Sequence, residues 1–236
     1  MLVSSHRPQH RIGQPSFTPH SLEEEPVRVI AIVTEGSKEE LQYLQAFYVR
    51  LEEQSDKHVS VHFLNELIPE ERLATEERAS HPLRRLELMK DFLSIHNPDY
   101  RHYPDEAWIV CDRDMQSFRV EEYEEVYGYC FLHSIGMIVS NPAFQVWLLF
   151  HYDRWLPDCL YEDGLSSKGI LTCIERRLKK KMPKYKHGTL EFSCLATRVQ
   201  KAMLNSSYYP TNIADLKKEI GTNFSDLVQS LVDCYQ

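Results

Sequence analysis

The run VRVIAIV at 27–33 constrains this chain more than any other segment. Apart from Arg28 it is wholly apolar and rich in β-branched residues, without the polar alternation of a strand that faces water. Such a run is a strand buried on both faces. It breaks at Thr34-Glu35-Gly36-Ser37 and passes into KEELQYLQAFYVRLEE, where Leu41, Leu44, Phe47, Tyr48 and Leu51 recur at helical spacing. A strand covered on both sides, followed by a tight turn and an amphipathic helix, is the opening unit of a parallel sheet with helices above and below it.

The pattern continues. VSVHFL at 59–64 reads as a second strand, and 69–80 as a charged surface excursion or short helix. Helical periodicity returns at 83–95 and stops before Asn97-Pro98. AWIVC at 107–111 is a third buried strand that runs into Asp112-Arg113-Asp114. A helix is predicted over 119–132, a fourth strand in GMIVS at 136–140, and a further helix in AFQVWLLFHY after Asn141-Pro142. Beyond Arg154 no strong strand is evident, and ILTCIERRLKKKM, LEFSCLATRVQKAMLN and NFSDLVQSLVDCY read as helices. The predicted architecture is α/β: a Rossmann-like, mainly parallel sheet flanked by helices over 27–153, then a helical, basic C-terminal region over 154–236. Residues 1–26, with four prolines and no periodicity, read as a flexible arm.

Charge is unevenly spread. The net charge is −8, yet from Leu165 onward 12 basic residues face 6 acidic ones, giving +6, and residues 1–164 carry 15 against 29, giving −14. Such asymmetry points to an anionic partner. The six cysteines form no CxxC pair and no zinc-finger spacing, so they read as scattered thiols of a reducing cytoplasm. The start, MLVSSHRPQHRIGQ, develops no apolar h-region, and no apolar run is long enough to span a bilayer. The expectation is a soluble, cytoplasmic protein with no membrane partner.

In an open parallel sheet, ligands bind outside the carboxyl ends of the strands. Glu35 ends the first strand, and Asp112 and Asp114 end the third. Residues two apart on a continuing strand project to one side, so both aspartates can face the same ion. Three carboxylates in one small site repel one another. A hard divalent cation relieves that repulsion, and Mg²⁺, or Mn²⁺ in its place, suits a few carboxylates completed by waters. Such a centre holds an attacking water or stabilises a leaving oxygen in phosphoryl transfer.

These residues carry a resemblance. IAIVTEGSKEELQYL, WIVCDRD and VSNPAFQVWLLFHY are similar to the motifs of the RloB family, small Toprim-domain proteins of bacterial restriction and phage-defence loci; KYK near Lys184 and NFSDLVQSLV are weaker echoes. The resemblance implies a Toprim-like sheet with Glu35, Asp112 and Asp114 as metal-binding, catalytic acids. It also implies a nuclease acting on DNA or RNA, tRNA included, alongside other defence proteins encoded nearby, and it leaves an oligomer open. One departure stands out: Gln145 occupies a position where RloB-like sequences usually carry Glu. A nucleic-acid-binding or sensor subunit that does not cut is therefore the second reading.

Other residues have two readings each. Glu40 lies in the first turn of a helix, where the dipole alone favours an acid; otherwise it supports the metal centre, as Asn141 and Gln145 would. Asn141 either contacts phosphate or caps the next helix. Arg113 is expected in a structural salt bridge and His151 in the core. The run RRLKKKMPKYK places Arg176, Arg177, Lys179, Lys180, Lys181, Lys184 and Lys186 in eleven residues, with Tyr185 between two lysines. Lysines supply phosphate affinity, and an aromatic stacks on an unpaired base, so this run is the expected nucleic-acid contact.

Overall fold

A computed structural model describes residues 28–35, 38–67, 82–96, 104–113, 119–161 and 166–236. The expected arm at 1–26, the excursion at 69–80 and Asp114 lie outside them. The apolar opening run forms β1 (Arg28–Thr34), followed by α1 (Glu39–Glu52), β2 (Val59–Phe63) and α2 (Pro82–His96). Next come β3 (Glu106–Asp112), α3 (Val120–Leu132), β4 (Gly136–Asn141) and the short α4 (Gln145–Phe150). The C-terminal part holds α5 (Ser167–Lys181), α6 (Val199–Ser206), α7 (Ile213–Leu216), β5 (Gly221–Thr222) and α8 (Phe224–Tyr235).

The strands form one sheet in the order β2-β1-β3-β4-β5, parallel except for β5, which runs antiparallel to β4. Alternation along each strand divides the core in two. Ile30, Ile32, Val110 and Ile138 face one layer, with Tyr43, Leu44 and Phe47 of α1, Trp147 of α4, Leu178 of α5, Ala202 of α6 and Leu227 of α8. Ala31, Val33, Ile109, Cys111, Met137 and Val139 face the other, with Met89 of α2 and Tyr123 and Val126 of α3. The basic C-terminal helices thus share their apolar core with α1 and the sheet. Tyr43 is the hub of this layer, its ring meeting those of Phe144, Trp147, His151, Phe192 and Phe224.

The structure corrects the sequence reading in three places. The C-terminal part contributes a strand: Thr222 and Gly221 pair with Ser140 and Asn141. The Asn223 side chain extends that pairing by accepting from Val139 N (2.7 Å) and donating to Met137 O (2.9 Å). The helix expected over 190–205 is helical in the α sense only from Val199, and two 3₁₀ turns, Phe192–Cys194 and Ala196–Arg198, precede it. The cysteines are not all thiols. Cys159 and Cys173 are joined in a disulfide, because α5 docks against the turn at Asp158–Leu160, while Cys111, Cys130, Cys194 and Cys234 are free. Among the described residues, no helix is long and apolar enough to cross a membrane.

Candidate functional site

The chain leaves β1 to form β2 on one side and returns to form β3 on the other, so the order of strands reverses between β1 and β3. A crevice opens outside the carboxyl ends of two strands at such a switch point. The acids are placed there. Glu35 continues the β1 pairing, its N–H donating to Val110 O at 2.8 Å. Its carboxylate Oε2 accepts the N–H of Asp112 at 2.9 Å. The Asp112 carboxylate in turn accepts the N–H of Phe144 at 2.8 Å, at the entry to α4. Asn65 fixes the end of β1 from the side, accepting from Thr34 N and donating to Thr34 O, both at 2.8 Å. Arg85 of α2 donates to the main-chain oxygen of Glu35 at 2.9 Å.

Two further acids crowd this end of the sheet, Glu39 and Glu40, both buried in the first turn of α1. Burial, followed by the negative charges of Glu40 and Glu35, holds Asp112 well above the usual carboxylate range, and the Phe144 N–H only partly opposes this. Burial raises Glu40 to about 7; Glu39 adds to the rise, and the Arg85 guanidinium offsets part of it. Raised proton affinity in neighbouring acids marks negative charge that the protein does not neutralise by itself. A hard cation or protons can neutralise it, and Glu35, Glu40 and Asp112 are the described acids that could meet such a cation. Among the described residues, no three His, Cys, Asp or Glu side chains are already arranged as a ligand set. The third expected ligand, Asp114, lies outside them.

Sequence reasoning missed Glu39. It sits at the centre of a buried network: Oε1 accepts from Tyr185 OH (2.8 Å) and Gly188 N (3.0 Å), and Oε2 accepts from the Gln145 amide. Gly188 reaches it because its positive φ of 79° closes the turn from Lys186 to Thr189, a conformation L-residues avoid. Gln145 Oε1 is buried and has no hydrogen-bond partner among the described residues. Asn141 does not cap the helix that follows it and is buried: its amide donates to Leu216 O, the last carbonyl of α7, at 2.8 Å and ties α7 to the end of β4. Arg113 likewise holds this corner, its Nε donating to Lys217 O at 3.1 Å. His151 is the packing residue the sequence suggested. Nδ1–H donates to Trp147 O at 3.0 Å, which leaves Nε2 to accept from Tyr43 OH at 3.0 Å.

A family model described as RloB-like protein matches residues 30–231. The chain belongs to the RloB-like family. No curated protein and no solved structure matches it. The span that matches the RloB-like model runs from β1 into α8, and so includes Glu35, Glu39, Glu40, Asp112, Asn141 and Gln145.

The basic run of this RloB-like chain separates into two groups. Arg177 and Lys181 tie α5 to Asp153, each at 2.7 Å, and Lys179 pairs with Glu175 at 3.6 Å within the helix. Burial works against the charge of Asp153, but the hydrogen bonds of Lys181 and Arg177 keep it below its ordinary range. Arg176, Lys180, Lys184 and Lys186 are exposed and make no ion pair among the described residues. Tyr185 is not exposed between its lysines as expected. Its ring is buried and its hydroxyl is committed to Glu39, so it cannot stack on a base.

Proposed function

We propose that this RloB-like protein is a Toprim-type nuclease, dependent on Mg²⁺ or Mn²⁺, that hydrolyses phosphodiester bonds of DNA or RNA in bacterial defence against phage. The observation that carries this reading is the linkage of Glu35 to Asp112 at the carboxyl ends of the two strands flanking the switch point. Glu35 and Asp112, with Asp114, would hold the cation, which supplies Lewis-acid stabilisation of charge and a more acidic bound water. The protein's own part is positioning. The Asp112 N–H orients the Glu35 carboxylate, the Phe144 N–H orients that of Asp112, and Asn65 and Arg85 keep the end of β1 in place. The exposed Arg176, Lys180, Lys184 and Lys186 would attract the strand without reading its sequence. The test is cleavage of mixed DNA and RNA, tRNA included, by purified wild type and Asp112→Ala with either metal. The reading expects cutting by the wild type alone, and cutting by a folded Asp112→Ala protein, or none by the wild type, would refute it.

One observation favours the second reading, a nucleic-acid-binding or sensor subunit that does not cut. Gln145 stands where the family usually has an acid, and its amide is committed to Glu39. That exchange removes one negative charge from the cluster that would otherwise draw a second cation. Stable association with nucleic acid in the presence of chelator, without turnover under any divalent ion, is the result this reading expects.

A further inference from the structure

Among the described residues, the large side chains left exposed include Trp155 (68% exposed), Tyr161 (59%) and Tyr208 (49%). They lie close together. The Arg154 guanidinium is 3.5 Å from the Tyr208 ring centroid and 5.0 Å from that of Trp155, so one cation serves two rings. Tyr209, next in the chain, accepts from Leu156 N at 2.9 Å and fixes the segment that carries Trp155. Beside it, Leu160, Tyr161, Tyr209, Pro210, Lys218, Glu219 and Ile220 line an open cavity of about 510 Å³, within the roughly 300–1,000 Å³ of small-ligand sites.

The surroundings suit an anionic chain. Arg154 and Lys218 make no ion pair among the described residues, and Lys201 lies nearby, bonded to Tyr152 O at 2.8 Å. The cluster also borders both parts of the candidate site. Asp153, just before Arg154, anchors Arg177 and Lys181 of the basic helix α5. Lys217, just before Lys218, is held through its carbonyl to Arg113, the residue after Asp112. Flat aromatic faces combined with cations are how proteins bind single strands, because every base has a face to stack.

We propose that Arg154, Trp155, Tyr208 and the adjoining Tyr161–Lys218 cavity form a stacking platform for unpaired nucleotides of single-stranded DNA or RNA. Stacking on Trp155 and Tyr208 holds the bases, Arg154 and Lys218 meet the phosphates, and Glu219 offers an acceptor to an exocyclic amino group. The assignment rests on the reading that this protein's substrate is nucleic acid, and it narrows that substrate to strands with unpaired bases.

The test is binding by the full chain in chelator, where nothing is cut, with oligo(dT), oligo(U) and a duplex of equal length. Trp147 is fully buried and Trp108 partly so, and Trp155 is the exposed tryptophan, so intrinsic fluorescence reports on it. Single strands are expected to quench that fluorescence, and Trp155→Ala with Tyr208→Ala to lose about tenfold or more of single-strand affinity. Duplex affinity should be unchanged, and Trp155→Phe should keep most of the binding. Single-strand binding without quenching, or with full affinity in the double variant, overturns the platform and leaves the nucleic-acid reading intact. Failure of the wild type to bind any nucleic acid overturns both. A dimer that dissociates on Trp155→Ala with nucleic-acid affinity untouched would make the surface an interface between copies, which also overturns it.

Discussion

The Glu35 carboxylate accepts the main-chain N–H of Asp112 at 2.9 Å, which joins the acid ending β1 to the acid ending β3 through the backbone of the second. Each acid is oriented whether or not a cation is bound, but their charges are left to repel. Burial, and then the charges of Glu40 and Glu35, raise the proton affinity of Asp112 in the fold above that in the unfolded chain, so its ionisation costs stability as pH rises above the unfolded value. Asp112→Asn keeps an oxygen for the Phe144 N–H and removes the charge. In chelator it should melt at or above the wild-type temperature. Adding Mg²⁺ should raise the wild-type melting temperature and leave the variant's unchanged, and equal increments in both would count against Asp112 as a ligand.

His151 should make stability depend on pH with the opposite sign. Burial lowers it to about 4, well below the value of the unfolded side chain. Below about pH 6.5 the unfolded chain takes up a proton that the folded chain refuses, so this stability is complete above that pH and is lost as pH falls toward the folded value. Between about pH 7.5 and about pH 5 the loss attributable to His151 is about 2 kcal/mol. Urea midpoints of wild type and His151→Gln, compared at both ends of that range, should differ by that amount in their pH dependence. Parallel dependences would mean that the folded ring takes up its proton as readily as the unfolded one.

What the sequence disclosed follows from how much of each element is decided locally. β1, β3 and β4 are legible because burial on both faces demands continuous apolar runs, and Glu35 and Asp112 are legible because they end such runs. β5 is two residues long, too short for any period, and its place depends on Asn223 reaching the edge of β4. Glu39 resembles an ordinary first-turn acid until Tyr185, Gly188 and Gln145, more than a hundred residues away, converge on it. Tyr185 misleads for the same reason: its neighbours in sequence are solvated lysines, but its neighbours in space are core. The exposed rings of Trp155, Tyr161 and Tyr208 are dispersed in sequence and become one surface only through packing of the helices.

The division within the basic run is testable by salt. Lys180→Glu with Lys184→Glu should weaken nucleic-acid binding and reduce the slope of log affinity against log salt by about one for each phosphate no longer neutralised. Arg177→Ala should act mainly on the fold, because it takes a partner from partly buried Asp153, and should cost about 1 kcal/mol in denaturant midpoints. If Arg177→Ala instead flattened the salt slope with unchanged stability, Arg177 would belong with the residues that meet phosphate.

Gly221 joins the strand correction to the cavity. A Cβ built there would lie 2.3 Å from Pro210 O, a backbone atom that no rotamer change can move. Gly221→Ala should therefore cost about 1–3 kcal/mol. A Gly221→Ala chain as stable as wild type would show that β5 and the 210 segment do not pack this closely.

Gln145→Glu tests what an acid at this position would do. The Gln145 amide donates to Glu39 within a buried network, so the substitution exchanges a donor for a second carboxylate facing the first. Without a cation, and near neutral pH, this should cost about 2 kcal/mol or more. The deficit should shrink on acidification, because a proton shared by the pair restores the donor in the fold at a pH where the unfolded chain remains ionised. Divalent ions should also restore stability, raising the variant's melting temperature by more than the wild type's if Glu39 and position 145 form a cation site once both are acidic. Recovery by both acid and metal, with cleavage rising above wild type, would mean that Gln145 weakens the proposed metal site. Recovery by acid alone would mean that Glu39 serves the packing of Tyr185 and Gly188 and takes no part in binding a cation.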